Sequence, residues 1–528
     1  MKEFFKNLVD KRNIHHQIYI MLLALFVIFL PTSKYMTSLV QFLIVIHWVV
    51  RGKLKFRMLQ AVKSPTLWIL FLVFLWHVLA MVYTNDLNYG LHDLKIKVPL
   101  LLLPLVIGTS EKLSPGELRL VLLFFVAAVF SASLVSISAI LGWTPMAIKD
   151  FRDASLFISH IRFALLVDMA IFILTFYALR PQARIRDRWV YFFVAVYFVG
   201  FLILSKALTG LVVALIVGVL LSLRWILTHK GFMARWFALV GVLTIPVLVS
   251  TYIGSEINSF YILKDDLTQL DQHTIQGNLY WHDTTNLQLE NGHYVGLYWC
   301  EKELKTAWKE KSDFAYEKLD KRGQDIKYTL IRYLTSLGYR KDAYGVSRLD
   351  TLDVRLIEEG FANANYRNKN RFHTRMYELI WQVDVYRKGG NPSGHSLTQR
   401  MEYLKTGWAI FQDHPLWGVG TGDVPNAFAE KYLETGSRLE ARWQLRAHNQ
   451  WLTFTIAFGI TGFLIMIICF FLPGIILKRY SHYLFLLFIL VAFISMLNED
   501  TLETQAGVAF IAFFYPLFLY SIPDEKRI

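Results

Sequence analysis

Apolar and polar positions divide the chain into long apolar runs joined by short polar connections, with one long polar stretch at about 255–447. A membrane-spanning helix needs about 20 mostly apolar residues. Twelve segments approach this pattern: 17–31, 35–50, 66–83, 97–108, 117–141, 156–179, 189–205, 207–227, 234–254, 449–472, 481–497 and 503–521. The pattern predicts an all-α polytopic membrane protein with about 12 transmembrane helices and a large, mainly helical outer domain between spans nine and ten.

Three parts follow from this pattern. Residues 1–254 form a transmembrane bundle of spans one to nine, residues 255–447 form the outer domain, and residues 448–528 contribute spans ten to twelve. Segment 97–108 is the least regular span, because it is short and contains two prolines. It is either re-entrant or the continuation of an interfacial helix that starts at Asp86.

Composition supports a membrane protein. The chain has 528 residues, of which 55% are hydrophobic and 18% charged, whereas a soluble domain has about 25% charged residues. This excludes a disordered chain and a typical soluble enzyme. The net charge of +14 would on its own suggest a nucleic-acid partner, but the apolar runs exclude that interpretation.

The positive charges instead orient the chain. The connections on the N-terminal side of the membrane carry 22 Lys and Arg, and the opposite short connections with the embedded positions carry 7. Lys and Arg accumulate on the cytoplasmic side, so both termini are predicted to be cytoplasmic. The outer segment 255–447 has 26 basic and 26 acidic residues and is neutral.

Two basic residues lie at the outer ends of predicted spans, where a charge is unfavourable unless it is paired or faces water. Arg162, in FISHIRFALLVDMA, lies a few residues inside span six, and Lys206, in LSKALTG, is at the tip of a hairpin. Arg162 either binds an anionic ligand, snorkels to the interface, or pairs with Asp153 or Asp168. For Lys206 the residues alone favour an interfacial anchor.

A second candidate is RLEARWQLRAHNQWLTF, where Arg438, Arg442 and Arg446 are four residues apart and precede His448 and Asn449. On a helix the three arginines would form one basic face. Arginine forms bidentate hydrogen bonds to phosphate oxygens, and histidine can take a proton from a hydroxyl. This suits a lipid-linked anionic group, although the pattern alone favours a belt of Arg and Trp at the membrane interface.

The segment HPLWGVGTGDVPNAF contains three alternate glycines before a helix start at Asp423: Gly418, Gly420 and Gly422. The nucleotide-binding fingerprints are absent, so the segment is predicted to be a tight turn that seats the following helix. Arg400, upstream of this turn, is another basic candidate. Its alternative role is a surface salt bridge with Glu402 or Asp413.

The segment NEDTLETQ, between the last two spans, carries three acidic residues: Glu499, Asp500 and Glu503. They either orient the histidine, pair with the arginines, or are solvated. No group of His, Cys and Asp has the spacing of a zinc site, and no serine nucleophile elbow is present.

Taken together, these motifs resemble the O-antigen ligase and polymerase superfamily of bacterial glycopolymer enzymes. The resemblance rests on the number of spans, the large loop before the last three, HPLWGVGTGD, and RAHNQWLTFTIAFGITGFL. Further segments resemble the Bacteroidetes-type ligase branch: LENGHYVGLYWCEKEL, TLIRYLTSLGYRKDAYGV, GHSLTQRMEYLKTGW and NEDTLETQAGVAF. The resemblance covers the chain well from about residue 250 to the end.

The resemblance implies a C-type membrane glycosyltransferase fold in the bacterial inner membrane, with the large loop in the periplasm. Such an enzyme moves a glycan from undecaprenyl pyrophosphate to an acceptor, in the ligases a lipid A–core sugar. The partners are thus the lipid-linked donor, the acceptor and the bilayer. A nucleic acid, a metal and a cofactor are not expected.

The resemblance also implies residue roles. The periplasmic catalytic histidine of the family matches His448, and its pyrophosphate-binding arginines match Arg446, Arg162 and Arg400. Many members have Ser-Arg where this chain has Ser205–Lys206; lysine keeps the charge but lacks the bidentate fork. The predicted mechanism is metal-independent and inverting, with orienting or supporting roles for three residues: Asn449, Glu499 and Glu503.

Two other functions compete with the ligase. A polymerase that joins repeat units shares the donor and the fold, and one sequence does not separate it from a ligase. A lipid-linked glycan flippase or ion-coupled transporter is less favoured, because transporters tend to show paired repeats and intramembrane acids. In this chain the two halves are dissimilar and the charged motifs cluster on the outer side.

Overall fold

The computed structural model describes residues 14–143, 155–228, 231–368 and 371–522. Within these ranges the regular structure is helical apart from two short strands, β1 (Leu289–Glu290) and β2 (His293–Tyr294), which pair antiparallel. The protein is therefore an all-α polytopic membrane protein.

Ten helices precede the polar stretch. They are α1 (Ile14–Phe29), α2 (Lys34–Val50), α3 (Leu54–Lys63), α4 (Pro65–Leu79), α5 (Leu87–Lys97), α6 (Pro99–Gly108), α7 (Pro115–Ile140), α8 (His160–Ala178), α9 (Ile185–Leu204) and α10 (Leu208–Thr228).

Twelve further helices complete the chain. They are α11 (Phe232–Phe260), α12 (Glu301–Lys311), α13 (Ile326–Ser336), α14 (Ala343–Ser347), α15 (Thr351–Glu358), α16 (Asn365–Asn368), α17 (Arg371–Arg387), α18 (Ser396–Asp413), α19 (Val424–Glu434), α20 (Gln450–Ile476), α21 (Tyr483–Met496) and α22 (Gln505–Tyr520).

Among the described residues, seven helices are long and apolar enough to cross a membrane: α4 with its 3-10 extension to Tyr83, α7, α8, α9, α10, α11 and α20. The pair α2 and α3 passes the same test together but is bent by 108°, and α1, α21 and α22 are apolar but shorter. Each predicted span overlaps a helix, so the multi-pass fold is confirmed, whereas the number twelve stays a prediction.

The weak segment 97–108 belongs to a helix that starts earlier. Helix α5 begins after Asp86, whose side chain accepts the N–H of Tyr89 at 2.9 Å, and α6 follows after the single residue Val98. Proline is tolerated at the first position of a helix, which is where Pro99 lies in α6. The prediction of a helix continuing from Asp86 is confirmed.

The chain forms two compact units. Unit 1 comprises Met1–Arg235, Tyr403–Ser437 and Gln444–Ile528, and unit 2 comprises Trp236–Glu402 and Arg438–Trp443. Their limits differ from those of the predicted domains, since α11 packs within unit 2, where Phe260 contacts Leu289 and Tyr377. The periplasmic location of 255–447 stays a prediction.

Unit 1 has an aromatic core contributed by several helices. Phe513 of α22 stacks on Phe26 of α1 at 4.2 Å between ring centroids, and Phe514 contacts Phe125 of α7 at 5.1 Å. Offset and edge-on ring pairs of this kind stabilise a core beyond their buried area. Helix α22 is thereby fixed among helices from the start of the chain, and its N-terminal end carries the acidic segment described below.

Unit 2 is mainly helical and has its own core, centred on Trp308, Leu330 and Tyr333. Glu290, at the end of β1, is fully buried. Its carboxylate accepts hydrogen bonds from Arg332 at 2.7 Å, from Asn363 at 2.7 Å and from Tyr377 at 3.0 Å. A buried charge is tolerated when it is paired and hydrogen-bonded in this way.

Candidate functional site

The other residues of the candidate site contact residues 497–504, which join α21 to α22 and which we call the acidic connection. They carry three carboxylates that are all buried or nearly so: Glu499, Asp500 and Glu503. Carboxylates in such positions require partners. Glu499 and Asp500 both contact His448, and Glu503 contacts Lys97 and Arg446, so the structure excludes the prediction that they are merely solvated.

Asp500 holds the backbone at the entrance of α20. It accepts the N–H of His448 at 3.1 Å, the N–H of Asn449 at 3.0 Å and the hydroxyl of Thr453 at 2.8 Å. His448 has a φ of 48°, which is unfavourable for a non-glycine residue. The two backbone bonds therefore stabilise the conformation from which the imidazole projects.

Asn449 is the N-cap of α20. Its side-chain oxygen accepts the N–H of Leu452 at 3.0 Å, and its amide donates to the carbonyl of Leu497 at 3.0 Å. An N-cap side chain satisfies one of the free N–H groups of the first turn. Asn449 thus ties the start of α20 to the acidic connection, which is a supporting role.

The His448 side chain is one-third exposed, at 32%. Its Nδ1 lies 3.9 Å from Glu499 Oε2, which is longer than a hydrogen bond. The ring of Tyr403 lies at 5.5 Å between centroids. The imidazole is therefore accessible and has a carboxylate on its Nδ1 side.

Arg446 lies two residues before His448 and contacts a different carboxylate. Its Nη1 donates to Glu503 Oε2 and to the Tyr89 hydroxyl, both at 3.1 Å, while its buried Nε has no partner among the described residues. Burial opposes ionisation of Glu503, but the cations Lys97 and Arg446, whose nitrogens both lie 3.1 Å from its Oε2, favour the charged form. Arg446 and Glu503 therefore form an ion pair.

A small cavity of about 10 Å³ is lined by Arg446 and Glu503 together with Lys97, Asp93 and His77. A buried N–H without a partner, such as that of Arg446, usually marks a place where a ligand or water binds. The cavity and the free donor together can hold an anionic oxygen.

Arg162 lies in the first turn of α8. Its Nη1 donates to Ser159 Oγ at 3.2 Å, and its Nε also lacks a partner among the described residues. The carboxylates of Glu499 and Asp500 act on its charge, and it lines a second small cavity, of about 20 Å³, with Thr501. The structure therefore brings Arg162 to the same acidic connection as His448 and Arg446.

The structure tests one of the two predicted acidic partners of Arg162. Asp168 is fully buried, and neither of its carboxyl oxygens has a hydrogen-bond partner in the described parts of the chain. Pairing of Arg162 with Asp168 is therefore wrong. Asp153 lies outside the described residues.

Lys206 lies at the hairpin between α9 and α10, with a φ of 56° and an exposed side chain. The hairpin contacts the acidic connection, since Asn498 donates to the Thr209 hydroxyl at 3.1 Å. Arg400 belongs to α18 within unit 2, and its part in the site stays a prediction.

The predicted basic face of three arginines is wrong. No helix joins the positions Arg438, Arg442 and Arg446, where the regular structure is only a 3-10 turn at Ala441–Trp443. Arg438 donates to the carbonyl of Gly389, and Arg442 pairs with Glu440 at 2.9 Å. The helix instead starts at its N-cap Asn449, so Arg446 precedes it in an extended segment.

The glycine-rich segment is a structural turn, as predicted. Helix α20 is interrupted at Gly459, with a φ of 63°, and the glycine-rich turn packs against the helix at this interruption. Three backbone hydrogen bonds join the turn to the helix. The N–H groups of Val419 and Gly420 donate to the carbonyls of Ile456 and Ala457, both at 2.9 Å, and the N–H of Ile460 donates to the carbonyl of Pro415 at 2.8 Å. A Cβ on Gly418 would lie 2.4 Å from the Ala457 carbonyl carbon, so the contact requires glycine.

The same turn positions α5. The Asp423 carboxylate accepts the N–H groups of Asn85 at 2.7 Å and of Asp86 at 2.8 Å. These residues immediately precede α5, which carries Tyr89, Asp93 and Lys97. The motif near residue 420 therefore positions α5, and its Thr421 also lines the cavity beside Arg446.

Sequence reasoning missed four residues of the site, Tyr89, Asp93, Lys97 and Gln450, and it missed the backbone role of Asp500. A signal existed for two of them, because Asp93 and Lys97 are four residues apart and such pairs meet on a helix. No local sequence pattern indicates that Lys97 contacts Glu503, because the two residues are more than 400 positions apart along the chain.

Residues 361–467 match the family described as O-antigen ligase. The matched part contains Arg400, the glycine-rich turn, Arg446 and His448, whereas Arg162, Lys206 and the acidic connection lie outside it. None of the curated proteins compared with the chain matches it. The chain is therefore a multi-pass helical membrane protein with a region, residues 361–467, that is similar to the O-antigen ligase family.

Proposed function

We propose that the protein transfers a glycan from undecaprenyl pyrophosphate to a hydroxyl of an acceptor sugar, the reaction of an O-antigen ligase, with lipid A–core as the acceptor. The single observation that supports this most is the pairing of Arg446 and His448 with one acidic connection. Glu503 forms an ion pair with Arg446, and Asp500 accepts a hydrogen bond from the backbone N–H of His448. A phosphate-binding cation and a proton acceptor thus lie two residues apart at the end of a membrane helix.

His448 acts as the general base. It takes the proton of the acceptor hydroxyl, whose oxygen attacks the anomeric carbon of the donor sugar while the bond to the pyrophosphate oxygen breaks. Attack from the face opposite the leaving group inverts the anomeric centre. Glu499, 3.9 Å from Nδ1, stabilises the protonated ring by its charge, and such contacts often shorten to hydrogen bonds only with substrate bound.

Arg446 and Arg162 stabilise the charge that develops on the departing pyrophosphate. Fixed cations and N–H donors aimed at developing charge usually supply the largest part of catalysis. Each of these arginines retains a buried Nε–H without a protein partner in the described structure. Both therefore have a donor for a phosphate oxygen while their charges stay balanced by carboxylates.

Lys206 supplies additional positive charge for the donor phosphates. Lys206 is exposed on a hairpin next to Asn498. Because its ammonium group lacks the planar fork of arginine, it binds a phosphate as a point charge. The site lies at the periplasmic face of the inner membrane, with both chain termini cytoplasmic, in accordance with the distribution of Lys and Arg.

The first test uses cells that lack the protein. Wild type should restore glycan on the lipid A–core, whereas His448→Ala should leave it on the lipid carrier and lower transfer at least about 100-fold, the usual contribution of a general base. His273→Ala, an exposed histidine in unit 2, is the matched control and should transfer normally.

The accumulated product separates the ligase from the polymerase. Long glycan on undecaprenyl pyrophosphate in the deletion cells supports the ligase, whereas single repeat units there mean that the protein is a polymerase. Transfer by purified His448→Ala at the wild-type rate would exclude the histidine as base.

A further inference from the structure

Helix α5 carries three polar residues spaced four apart, Tyr89, Asp93 and Lys97, which places them on one face. Tyr89 contacts Arg446 directly, at 3.1 Å. Neither Asp93 nor Lys97 has a role in the function proposed above.

Lys97 is completely buried. Its Nζ donates to both carboxyl oxygens of Asp93, at 2.5 and 2.7 Å, and to Glu503 Oε2 at 3.1 Å. A fully buried ammonium persists only with partners of this quality. It lines the same cavity as Arg446, while these three hydrogen bonds all go to carboxylates.

Glu503 connects Lys97 to Arg446. Its Oε2 accepts from both cations at 3.1 Å, and its Oε1 accepts from the amide of Gln450, also at 3.1 Å. The oxygen of that amide in turn accepts the N–H of Leu502 at 2.7 Å. Three donors thus fix both carboxylate oxygens, and the fixed carboxylate sets the direction of the Arg446 guanidinium.

We propose that Lys97 is a positioning residue for glycan transfer: through Glu503 it holds Arg446 in the orientation that binds the diphosphate of the donor. This inference rests on the proposed function. In the wild type, Asp93, Glu503, Lys97 and Arg446 form a group of two positive and two negative charges. Without Lys97 two carboxylates share one cation, and Arg446 is drawn towards them and away from the donor.

The role of Lys97 is tested by a double-mutant cycle of Lys97→Met and Arg446→Lys. Both glycan transfer and the affinity of the purified protein for undecaprenyl pyrophosphate are measured. Coupled residues give non-additive effects, whereas independent ones give additive effects. Lys97→Met should lower transfer about tenfold in the wild-type background and less than twofold in Arg446→Lys, as expected for coupling of this size.

Equal effects of Lys97→Met in both backgrounds would overturn the proposal, because they would mean that Lys97 binds phosphate directly or only supports the fold. Lys95→Met is the matched control, since Lys95 is exposed on the same helix, and it should transfer normally. If Lys97→Met does not fold, Asp93→Asn/Lys97→Met replaces it in the cycle, because removing both charges of a buried pair is better tolerated than removing one.

The two proposals fail in different ways. A wild-type protein that binds undecaprenyl pyrophosphate and transfers glycan, but gives an additive cycle, overturns the role of Lys97 alone. A wild-type protein that neither binds this lipid nor transfers glycan overturns the proposed function, and the role of Lys97 in it.

Discussion

The carboxylate of Asp500 accepts a hydrogen bond of 3.1 Å from the backbone N–H of His448, whose φ is 48°. The left-handed conformation is disfavoured for a residue with a Cβ by about 1–2 kcal/mol. A contact from a distant segment therefore maintains the backbone from which the proposed base projects.

Asp500→Ala is expected to reduce transfer by at least about tenfold, because His448 loses the acceptor that fixes its backbone, and the melting temperature should fall as well. Asp500→Asn keeps one carbonyl oxygen and should retain more of both. Transfer and thermal unfolding of the purified variants provide the measurements. Unchanged transfer in Asp500→Ala would show that the conformation of His448 does not depend on this contact.

Arg446→Lys is expected to separate binding from catalysis. Lysine keeps the charge but lacks the Nε–H and the planar fork, so transfer should fall by about 100-fold, the size seen when one transition-state donor is lost. The affinity for undecaprenyl pyrophosphate should fall by less than about tenfold. An equal loss of affinity and of transfer would mean that Arg446 serves docking alone.

Gly418→Ala is expected to prevent the glycine-rich turn from packing against α20 where that helix is interrupted at Gly459. The new Cβ would lie 2.4 Å from backbone atoms of Ala457 at a position with φ of 71°. Gly436→Ala is the control, since Gly436 also has a positive φ, of 58°, but has open space around it. Only the first variant should lose the folded protein, as judged by yield and thermal unfolding; equal losses in both would assign the effect to φ alone.

Unit 2 is expected to become more stable as pH rises above neutrality. Burial lowers the pKa of Lys341 to about 7, against the opposing charge of Asp265. In the unfolded chain a lysine has its ordinary pKa of about 10.4. Between these two pKa values Lys341 therefore carries a proton in the unfolded chain but not in the folded protein. The free energy of unfolding should therefore rise with pH between about 7 and 10 and stay level below about 7, where both states carry the proton.

Thermal unfolding across this pH range, followed by a probe in unit 2, measures that slope. Lys341→Met should remove most of it, because methionine has a similar length and does not titrate. A slope that survives in Lys341→Met would assign the pH dependence to another group.

Periodicity predicted the helices well, because a membrane helix depends on a local run of apolar residues. It failed for the arginine row, where a helical spacing from Arg438 to Arg446 exists without a helix. The N-cap preference of Asn449 was a better local signal than the spacing, since a helix starts after its cap. Lys97 could not be placed from the sequence, because its partner Glu503 is distant along the chain and only folding brings them together.

The pairing of Arg446 with Glu503 has a kinetic consequence. A bare guanidinium in a buried cavity would hold a diphosphate tightly both before and after the glycan leaves, and such uniform affinity does not raise turnover. A cation that already shares a carboxylate binds substrate and spent carrier more weakly. In an O-antigen ligase, the released lipid would then leave the site for recycling instead of blocking the next donor.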